Sequence, residues 1–349
     1  MFISVIVPTL NRASLLNRTL SSLANQITDD VEFEVIVVDN GSRDNTRETC
    51  QRHQAGLTNL TYIYDDRPGL LVGRHVGAQT AQGEILTFID DDVIIPPYWL
   101  QGIRAVFREH REVLLATGNN YPFFEAPPPK WLDQMWCKYG RNGKHLYQLS
   151  FLCLGSTCMQ IDPGLVWGLN FHIRKTAFYE IGGFNPDILP SRFKYFIGDG
   201  ELGITRRMRD RNMKAWFDPR LSLYHTATEE RLTPEYFLRR SYTEGLMDAY
   251  TNIRKALKPG ESPLRFLKDE RTRKFKSRLK NFSLYLSDRQ LFALKNSLVI
   301  AFMRGYNEYI SHLAEDPLLM EYVAEDDYLD LERINSKYYE RAARQGAES

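Results

Sequence analysis

Strand-like and helix-like patterns alternate through the first third of this chain, and the alternation restricts its fold more than any other feature. Apolar, β-branched runs at residues 3–9, 33–39, 60–64 and 85–90 predict buried strands. Helical signals separate them: Leu16, Leu20 and Leu23 at helical spacing, a helix start at Asn45, and a helix near residues 73–81. Parallel neighbours need such crossover connections. We therefore expect an α/β protein with a Rossmann-like, mostly parallel sheet flanked by helices.

Polar residues follow three of these predicted strands at the points where the strands end. They are Thr9-Leu10-Asn11-Arg12, Asp39-Asn40-Gly41-Ser42 and Asp90-Asp91-Asp92. In open α/β sheets, ligands bind beyond the carboxyl ends of the strands. The three clusters therefore predict one shared cleft.

The composition and the predicted structure of the rest of the chain change at two points. Residues 121–165 are rich in proline and aromatic residues, which favours a loop-rich segment lying over the cleft. From about Pro234 the pattern is helical to the end. This predicts a sheet-containing domain over residues 1–233 and a helical C-terminal extension over residues 234–349.

The acidic triplet is the strongest candidate for a metal site. In an extended backbone, Asp90 and Asp92 point to one side and Asp91 to the other. Carboxylates this close repel one another unless a cation intervenes. Mg²⁺ and Mn²⁺ suit such a site, since Mg²⁺ is commonly held by one or two carboxylates together with substrate phosphates. The alternative is a solvated acidic loop that caps the following helix.

Charge and cysteine content narrow the function classes. The formal net charge of the 349 residues is +1, which argues against nucleic-acid binding. Four cysteines without a C-x-x-C pair suit the reduced thiols of a cytoplasmic protein. The longest candidate membrane stretch covers only residues 298–303, far short of the roughly 20 residues that span a bilayer.

The helical extension separates its charges. Residues 254–280 hold eleven Lys or Arg against three acids, whereas residues 315–332 hold eight acids and no base. A basic, amphipathic stretch over residues 254–286 predicts peripheral contact with the inner face of the cell membrane. The alternatives are packing on its own domain, pairing with the acidic segment, or a homo-oligomer contact.

The order of motifs resembles that of inverting, family 2 glycosyltransferases of the GT-A fold, in their non-processive bacterial form. The matching segments are Ser4-Val5-Ile6-Val7-Pro8-Thr9, Val37-Val38-Asp39-Asn40-Gly41-Ser42, Pro68-Gly69-Leu70 through Gly77, Phe88-Ile89-Asp90-Asp91-Asp92, Gly168-Leu169-Asn170-Phe171 with Arg174, and Gly182-Gly183-Phe184. They span about residues 2 to 245. The resemblance implies a nucleotide-binding half over residues 1–118 and an acceptor-side half over residues 119–233.

This resemblance also implies roles for individual residues. It implies a nucleotide-diphosphate sugar as donor, and Asp39 as acceptor of a hydrogen bond from the base favours a UDP-sugar. The implied donor-site residues are Pro8, Thr9, Asn11, Arg12, Asp39, Asn40, Gly41, Arg67, Gly69, Arg74, Asp90 and Asp91. Asp92, Asp90 and His225 would hold Mn²⁺ or Mg²⁺. His75 stands where the family more often has Asn and receives no role.

The segment Gly198-Asp199-Gly200-Glu201-Leu202 resembles the family's catalytic acidic motif, although Gly198 replaces its first acid. The resemblance makes Asp199 the base that takes the acceptor's proton, with Glu201 as the weaker candidate. Asp199 as a helix cap is the structural alternative. A structural hydrogen-bonding role is the alternative for His225.

The resemblance implies a glycosyltransferase of hexosyltransferase type that moves one sugar to a saccharide or lipid-linked acceptor, in cell-surface polysaccharide or glycan synthesis. The chain lacks the Q-x-x-R-W element of processive synthases. A catalytically inactive binding or scaffold protein on the same fold remains an alternative. A sugar nucleotidyltransferase is another, although the glycine-rich loop that it needs after the first strand is missing. No G-x-G-x-x-G follows that strand, which excludes a Rossmann dehydrogenase.

Overall fold

The computed structural model describes residues 1–140, 143–187, 189–190, 193–258 and 260–345. Its strands are β1 (Phe2–Thr9), β2 (Glu32–Asp39), β3 (Leu60–Tyr64), β4 (Ile85–Ile89), β5 (Val93–Ile94), β6 (Leu115–Thr117), β7 (Asn120–Phe124), β8 (Cys137–Tyr139), β9 (Gly143–Leu146), β10 (Phe151–Cys153), β11 (Met159–Ile161), β12 (Asn170–Arg174), β13 (Ala215–Phe217) and β14 (Leu223–Ala227). Its helices are α1 (Ala13–Ala24), α2 (Thr46–Gln54), α3 (Leu70–Thr80), α4 (Trp99–Glu109), α5 (Lys175–Ile181), α6 (Glu201–Asp210), α7 (Pro234–Ala256), α8 (Glu270–Lys280), α9 (Phe282–Ser287), α10 (Arg289–Glu315), α11 (Pro317–Ala324), α12 (Leu331–Ile334) and α13 (Glu340–Gln345).

The main sheet has the strand order β11-β13-β6-β12-β4-β1-β2-β3. Strands β3, β2, β1 and β4 are parallel neighbours, as the alternating pattern predicts. Strand β12 is antiparallel to both β4 and β6, so the sheet is mixed. The β-branched residues of β1 and β2 are fully buried because helices cover both faces of a parallel sheet. The α/β fold class is confirmed.

Residues 121–165 differ from the prediction of a loop-rich segment. They contribute strands to a second sheet with the order β5-β14-β7-β10-β9-β8. These strands are only three to five residues long, too short to show a clear two-residue repeat. Leu146 and Phe151 of this sheet pack with Leu232 and Phe237 in a second apolar cluster.

The start of α2 also differs in detail from the prediction. Asn45 occupies the cap position, but its side chain makes no capping hydrogen bond. The Asp44 carboxylate instead accepts from the backbone N–H groups of Thr46, at 3.2 Å, and Ala13, at 2.9 Å. One side chain therefore joins the beginnings of α1 and α2.

The C-terminal region is helical, as predicted, and α7 begins at Pro234 after a capping bond from the Tyr236 N–H to the Thr233 hydroxyl. The chain then returns to the sheet domain. The Tyr322 hydroxyl donates to the Phe196 carbonyl at 2.6 Å, and His75 Nδ1 lies 3.0 Å from the Tyr328 carbonyl. His75 Nε2 accepts from the Phe184 N–H at 3.0 Å, which fixes Nδ1 as the donor. His75 thus joins α3 to the segment between α11 and α12.

The basic residues of 254–280 and the acidic residues of 315–332 form few ion pairs with each other. Within the described part of residues 254–280, only Arg254 forms an ion pair with the acidic segment, at 2.9 Å from Asp326. Most of α8 is exposed. No helix among the described residues is both long and apolar enough to cross a bilayer.

Helices α7 and α10 approach closely at two glycines. A Cβ atom on Gly245 would lie 2.1 Å from the Phe302 carbonyl oxygen, and one on Gly305 would lie 2.1 Å from the Tyr242 carbonyl oxygen. Gly245→Ala should therefore destabilise the fold by about 1–3 kcal/mol, since the helices must move apart. Gly56→Ala is the control, because its new Cβ meets nothing nearer than 4.0 Å. Equal urea-unfolding free energies for the two variants would contradict this close crossing.

Burial lowers the pKa of His75 from 6.5 to about 3. Unfolded chains bind this proton at higher pH than the folded protein does, so stability is complete above pH 6.5 and decreases as the pH falls towards 3. A histidine of this kind changes the unfolding free energy by about 1.4 kcal/mol per pH unit across this range. His75→Asn should flatten the decline of the unfolding free energy between about pH 6.5 and 5. An unchanged slope would show that His75 is not held neutral.

Candidate functional site

The three polar clusters meet at the carboxyl edge of β1, β2 and β4, as predicted. Thr9 pairs with Asp39 in the sheet register, and the Asn40 N–H donates to the Thr9 carbonyl at 2.9 Å. The Thr9 hydroxyl donates to Asp91 at 2.7 Å. Arg12, at the start of α1, donates to Asp91 at 2.5 Å and to Asp92 at 2.6 Å. One arginine therefore bridges two members of the triplet.

The side chain of Asp91 separates from those of Asp90 and Asp92, as predicted, although β4 ends at Ile89 and Asp91 and Asp92 lie in a turn rather than in an extended strand. Asp91 faces Thr9 and Arg12, whereas Asp90 and Asp92 face His225. Burial raises the pKa of Asp91 to about 7 although Arg12 opposes the shift. Burial would also raise the pKa of Asp92, but the neighbouring guanidinium groups of Arg231 and Arg12 hold it well below its usual range.

Asp90, Asp92 and His225 place one potential ligand atom each within 4.8 Å of one another. His225 reaches this position because β14 pairs with β5, the strand that follows the triplet, with His225 opposite Val93. Its Nδ1 lies 2.8 Å from the Leu149 carbonyl, which assigns the proton to Nδ1 and leaves a lone pair on Nε2.

The buried Oδ1 of Asp92 accepts no hydrogen bond from any described residue and lies 3.2 Å from Nε2 of His225. Two lone pairs facing each other repel unless a cation lies between them. Two carboxylates and a neutral imidazole therefore fit a divalent metal ion.

Arg231 supplies positive charge at the same place. It lies in the turn Glu229–Leu232, and its Nη1 is 3.0 Å from Oδ2 of Asp92. The same nitrogen is 3.2 Å from Nε2 of His225. This guanidinium compensates Asp92 without bonding its free Oδ1.

Arg74 of α3 lies inside the site, close to three carboxylates. It is buried, with 3% of its surface exposed, and lies 3.4 Å from Glu201, 3.7 Å from Asp90 and 3.8 Å from Asp187. A Cβ atom on Gly168 would lie 2.0 Å from its Nη2, so glycine leaves the space that the guanidinium fills. Burial raises the pKa of Asp90, which Arg74 lowers and Asp92 raises.

A cavity of about 100 Å³, the central cavity, lies between these groups. Its polar lining residues are Arg74, Asp90, Gln148, Ser150, Asp187, Glu201, His225, Arg231, Tyr236 and Arg240. It is large enough for the reacting end of a ligand but not for a whole nucleotide.

Asp199 does not lie with these residues, contrary to the prediction that made it the base. It is fully buried and accepts hydrogen bonds from Asn185 at 2.7 Å, Arg206 at 2.6 Å and Thr251 at 2.9 Å. It borders a different hollow, between α6 and α7. Its side chain does not cap α6, the structural alternative, because Gly200 occupies the cap position and no side-chain capping bond is present. Glu201, the weaker candidate, lines the central cavity.

The other predicted donor-site residues lie at the edge of the sheet. Asp39 accepts from the Ser42 N–H and from the Tyr62 hydroxyl, each at 2.7 Å. Arg67 is paired with Asp65, and its Nη1 lies 3.4 Å from Glu332. Pro8, Asn11, Asn40, Gly41 and Gly69 belong to the same three strand ends and the turn before α3; Gly41 and Gly69 have positive φ angles of 93° and 110°. Their contact with a nucleotide stays a prediction.

Sequence reasoning missed Asp187, Gln148, Tyr236 and Arg240. Asp187 follows the glycine pair at 182–183 closely, and this was the one available signal. The other three come from the second sheet's connections and from α7, so only the tertiary fold brings them to the cavity.

Residues 4–165 match the family model described as Glycosyl transferase family 2. The chain is 28% identical over 200 residues to validoxylamine A glucosyltransferase of Streptomyces hygroscopicus subsp. jinggangensis, covering 53% of this chain and 47% of that protein. It is 34% identical over 159 residues to the poly(ribitol-phosphate) beta-N-acetylglucosaminyltransferase TarS of Staphylococcus aureus, covering 43% and 28%. The matches thus span less than half the length of these relatives.

One solved structure shares the fold across most of both chains. It is the mannosyltransferase PcManGT from Pyrobaculum calidifontis in complex with GDP-Man and Mn²⁺. The TM-score is 0.53 at 16% identity, covering 90% of this chain and 86% of that one. This likeness supports the GT-A type of fold.

Asp92→Asn should weaken Mn²⁺ binding by roughly tenfold to a hundredfold or more, because even outer-shell changes cost that much in metal sites. The electron paramagnetic resonance signal of free Mn²⁺ measures this binding directly. Asp218→Asn is the matched control, since Asp218 is likewise buried and paired with an arginine, Arg220, but lies outside the ligand group. Equal Mn²⁺ affinity in the Asp92→Asn variant and the unaltered protein would exclude the proposed ligand.

Proposed function

Because the chain carries a glycosyl transferase family 2 domain, we propose that it is an inverting enzyme that moves one sugar from a nucleotide-diphosphate sugar to an acceptor hydroxyl. The observation that carries the proposal is the central cavity. There, potential ligands for a divalent metal lie beside the buried Arg74 and the partly exposed carboxylate of Glu201. Such convergence of charged groups is costly and is typical of reactive sites.

The donor's diphosphate is proposed to lie between the metal ligands and the arginines. Mn²⁺ or Mg²⁺ held by Asp90, Asp92 and His225 would supply positive charge to the leaving diphosphate. Arg74 and Arg231 add guanidinium donors beside the same groups. These cations favour the transition state, because negative charge on the diphosphate oxygen increases as its bond to the sugar breaks.

A uracil base is favoured at Asp39. This carboxylate already accepts two hydrogen bonds, and a carboxylate offers about four acceptor positions. It therefore retains capacity for an imide N–H such as the one in uracil. UDP-sugars are accordingly the first donors to test.

Glu201 is the base that we propose in place of Asp199. Its carboxylate would take the proton from the acceptor hydroxyl as that oxygen bonds to the anomeric carbon and the bond to the diphosphate oxygen breaks. Its side chain is 21% exposed and lies beside Arg74, whereas that of Asp199 is fully buried and accepts three hydrogen bonds. A base must reach its substrate, and only Glu201 of the two lines the central cavity.

The acceptor is proposed to be a saccharide or a lipid-linked saccharide of cell-surface glycan synthesis, used on the cytoplasmic side of the membrane. The exposed side chains Phe275, Leu279, Phe282 and Leu286 support a peripheral membrane contact. Their spacing places them on one face of α8 and α9, if the two helices are treated as nearly continuous. A homo-oligomer stays a prediction.

Glu201→Gln should lower kcat for sugar transfer by about 10²–10⁴ while donor binding survives, because only proton removal is lost. Asp199→Asn should chiefly lower the thermal unfolding temperature, since it leaves Arg206 without its ion-pair partner. Steady-state turnover, donor titration and thermal unfolding of both variants separate the two roles. A folded Asp199→Asn variant without turnover, beside an active Glu201→Gln variant, would restore Asp199 as the base.

A further inference from the structure

A second cavity, the basic cavity, lies between α8, α10 and the segment that includes Trp136 and Gln148. Its volume is about 670 Å³, within the range of ordinary ligand sites. Four cationic side chains line it: Arg273, Lys276, Lys280 and Lys295. No acidic residue is among its described lining residues.

The charges of this cavity are not compensated within the described part of the chain. None of its four cations forms an ion pair there, whereas the nearby Arg265 and Lys268 pair with Glu261 and Asp248. Lys276 and Lys280 are four residues apart on α8, a spacing at which like charges destabilise a helix. A bound anion would remove that repulsion.

The basic cavity adjoins the central cavity. Gln148 lines both, and the next residue, Leu149, accepts the hydrogen bond from His225. The Phe151 ring packs on Trp136, with ring centroids 6.0 Å apart, and on His225, at 5.9 Å. One short segment, residues 148–151, therefore separates the basic cavity from the proposed metal ligands.

We propose that the basic cavity binds a phosphate group carried by the acceptor while the acceptor's hydroxyl enters the central cavity. This inference rests on the proposed function, because it assigns a chemical class to the acceptor of the same site. Lysine ammonium groups suit phosphate as point charges, and arginine adds a donor fork. The phosphate belongs either to a lipid headgroup or to a soluble phosphorylated glycan, and both sources present the same oxygens.

The test compares two double variants that lose the same charge from the same helix. The cavity variant is Lys276→Gln with Lys280→Gln, and the flank variant is Arg271→Gln with Lys274→Gln, whose side chains do not line the basic cavity. Each is titrated with inorganic tripolyphosphate and, separately, sedimented with phosphatidylcholine vesicles with or without phosphatidylglycerol. The cavity variant should bind roughly tenfold more weakly in at least one arm, because each basic side chain near an anionic group contributes appreciably.

The arms also identify the source of the phosphate. If only the cavity variant binds more weakly, and only to tripolyphosphate, the acceptor is a soluble phosphorylated glycan. If only the cavity variant binds more weakly, and only to phosphatidylglycerol vesicles, the phosphate belongs to a lipid headgroup. Equal losses in both variants, or none, would overturn the proposal. UDP-sugar binding in the presence of Mn²⁺ should be unchanged in the cavity variant. If the unaltered protein binds no nucleotide sugar, but the cavity variant still binds phosphate more weakly than the unaltered protein does, the proposed function fails and the phosphate site stands.

Discussion

Three consecutive carboxylates at the end of β4, Asp91 and Asp92 buried and Asp90 partly buried, govern the arrangement of the surrounding elements. Buried charges are tolerated only when partners compensate them. Arg12 from the start of α1 compensates Asp91 and Asp92, Arg74 from α3 approaches Asp90, and Arg231 from the turn after β14 reaches Asp92. Cations from three separate elements thus converge on one strand end. Oδ1 of Asp92 accepts no hydrogen bond from any described residue, so this compensation is incomplete. That oxygen faces Nε2 of His225.

The local part of this arrangement was predictable from sequence. β-Branched runs and helical spacing gave the parallel strands β1 to β4 to within a residue or two, because buried parallel strands are almost continuously apolar. The two-residue repeat of an extended chain predicted that Asp90 and Asp92 share a side, and they do, although Asp91 and Asp92 lie in a turn. The structure places His225 with them, as the resemblance implies.

The nonlocal part was not predictable from sequence. Asp199 and Glu201 are two residues apart, and the choice between them depends on how the chain turns at Gly200, whose φ angle is 52°. The second sheet joins β5, which follows the triplet, to β14 more than a hundred residues later. The contact of His75 with Tyr328 likewise joins distant segments. Such contacts depend on tertiary packing, and no pattern within a short window encodes them.

The central claim is that Asp90, Asp92 and His225 hold a divalent metal against the donor's diphosphate. Anomalous diffraction from crystals grown with Mn²⁺ and UDP tests it most directly, since manganese scatters anomalously and carbon, nitrogen and oxygen hardly do. The account predicts one anomalous peak in contact with Asp92, His225 and the diphosphate oxygens. A bound UDP with its manganese peak away from these residues would contradict it.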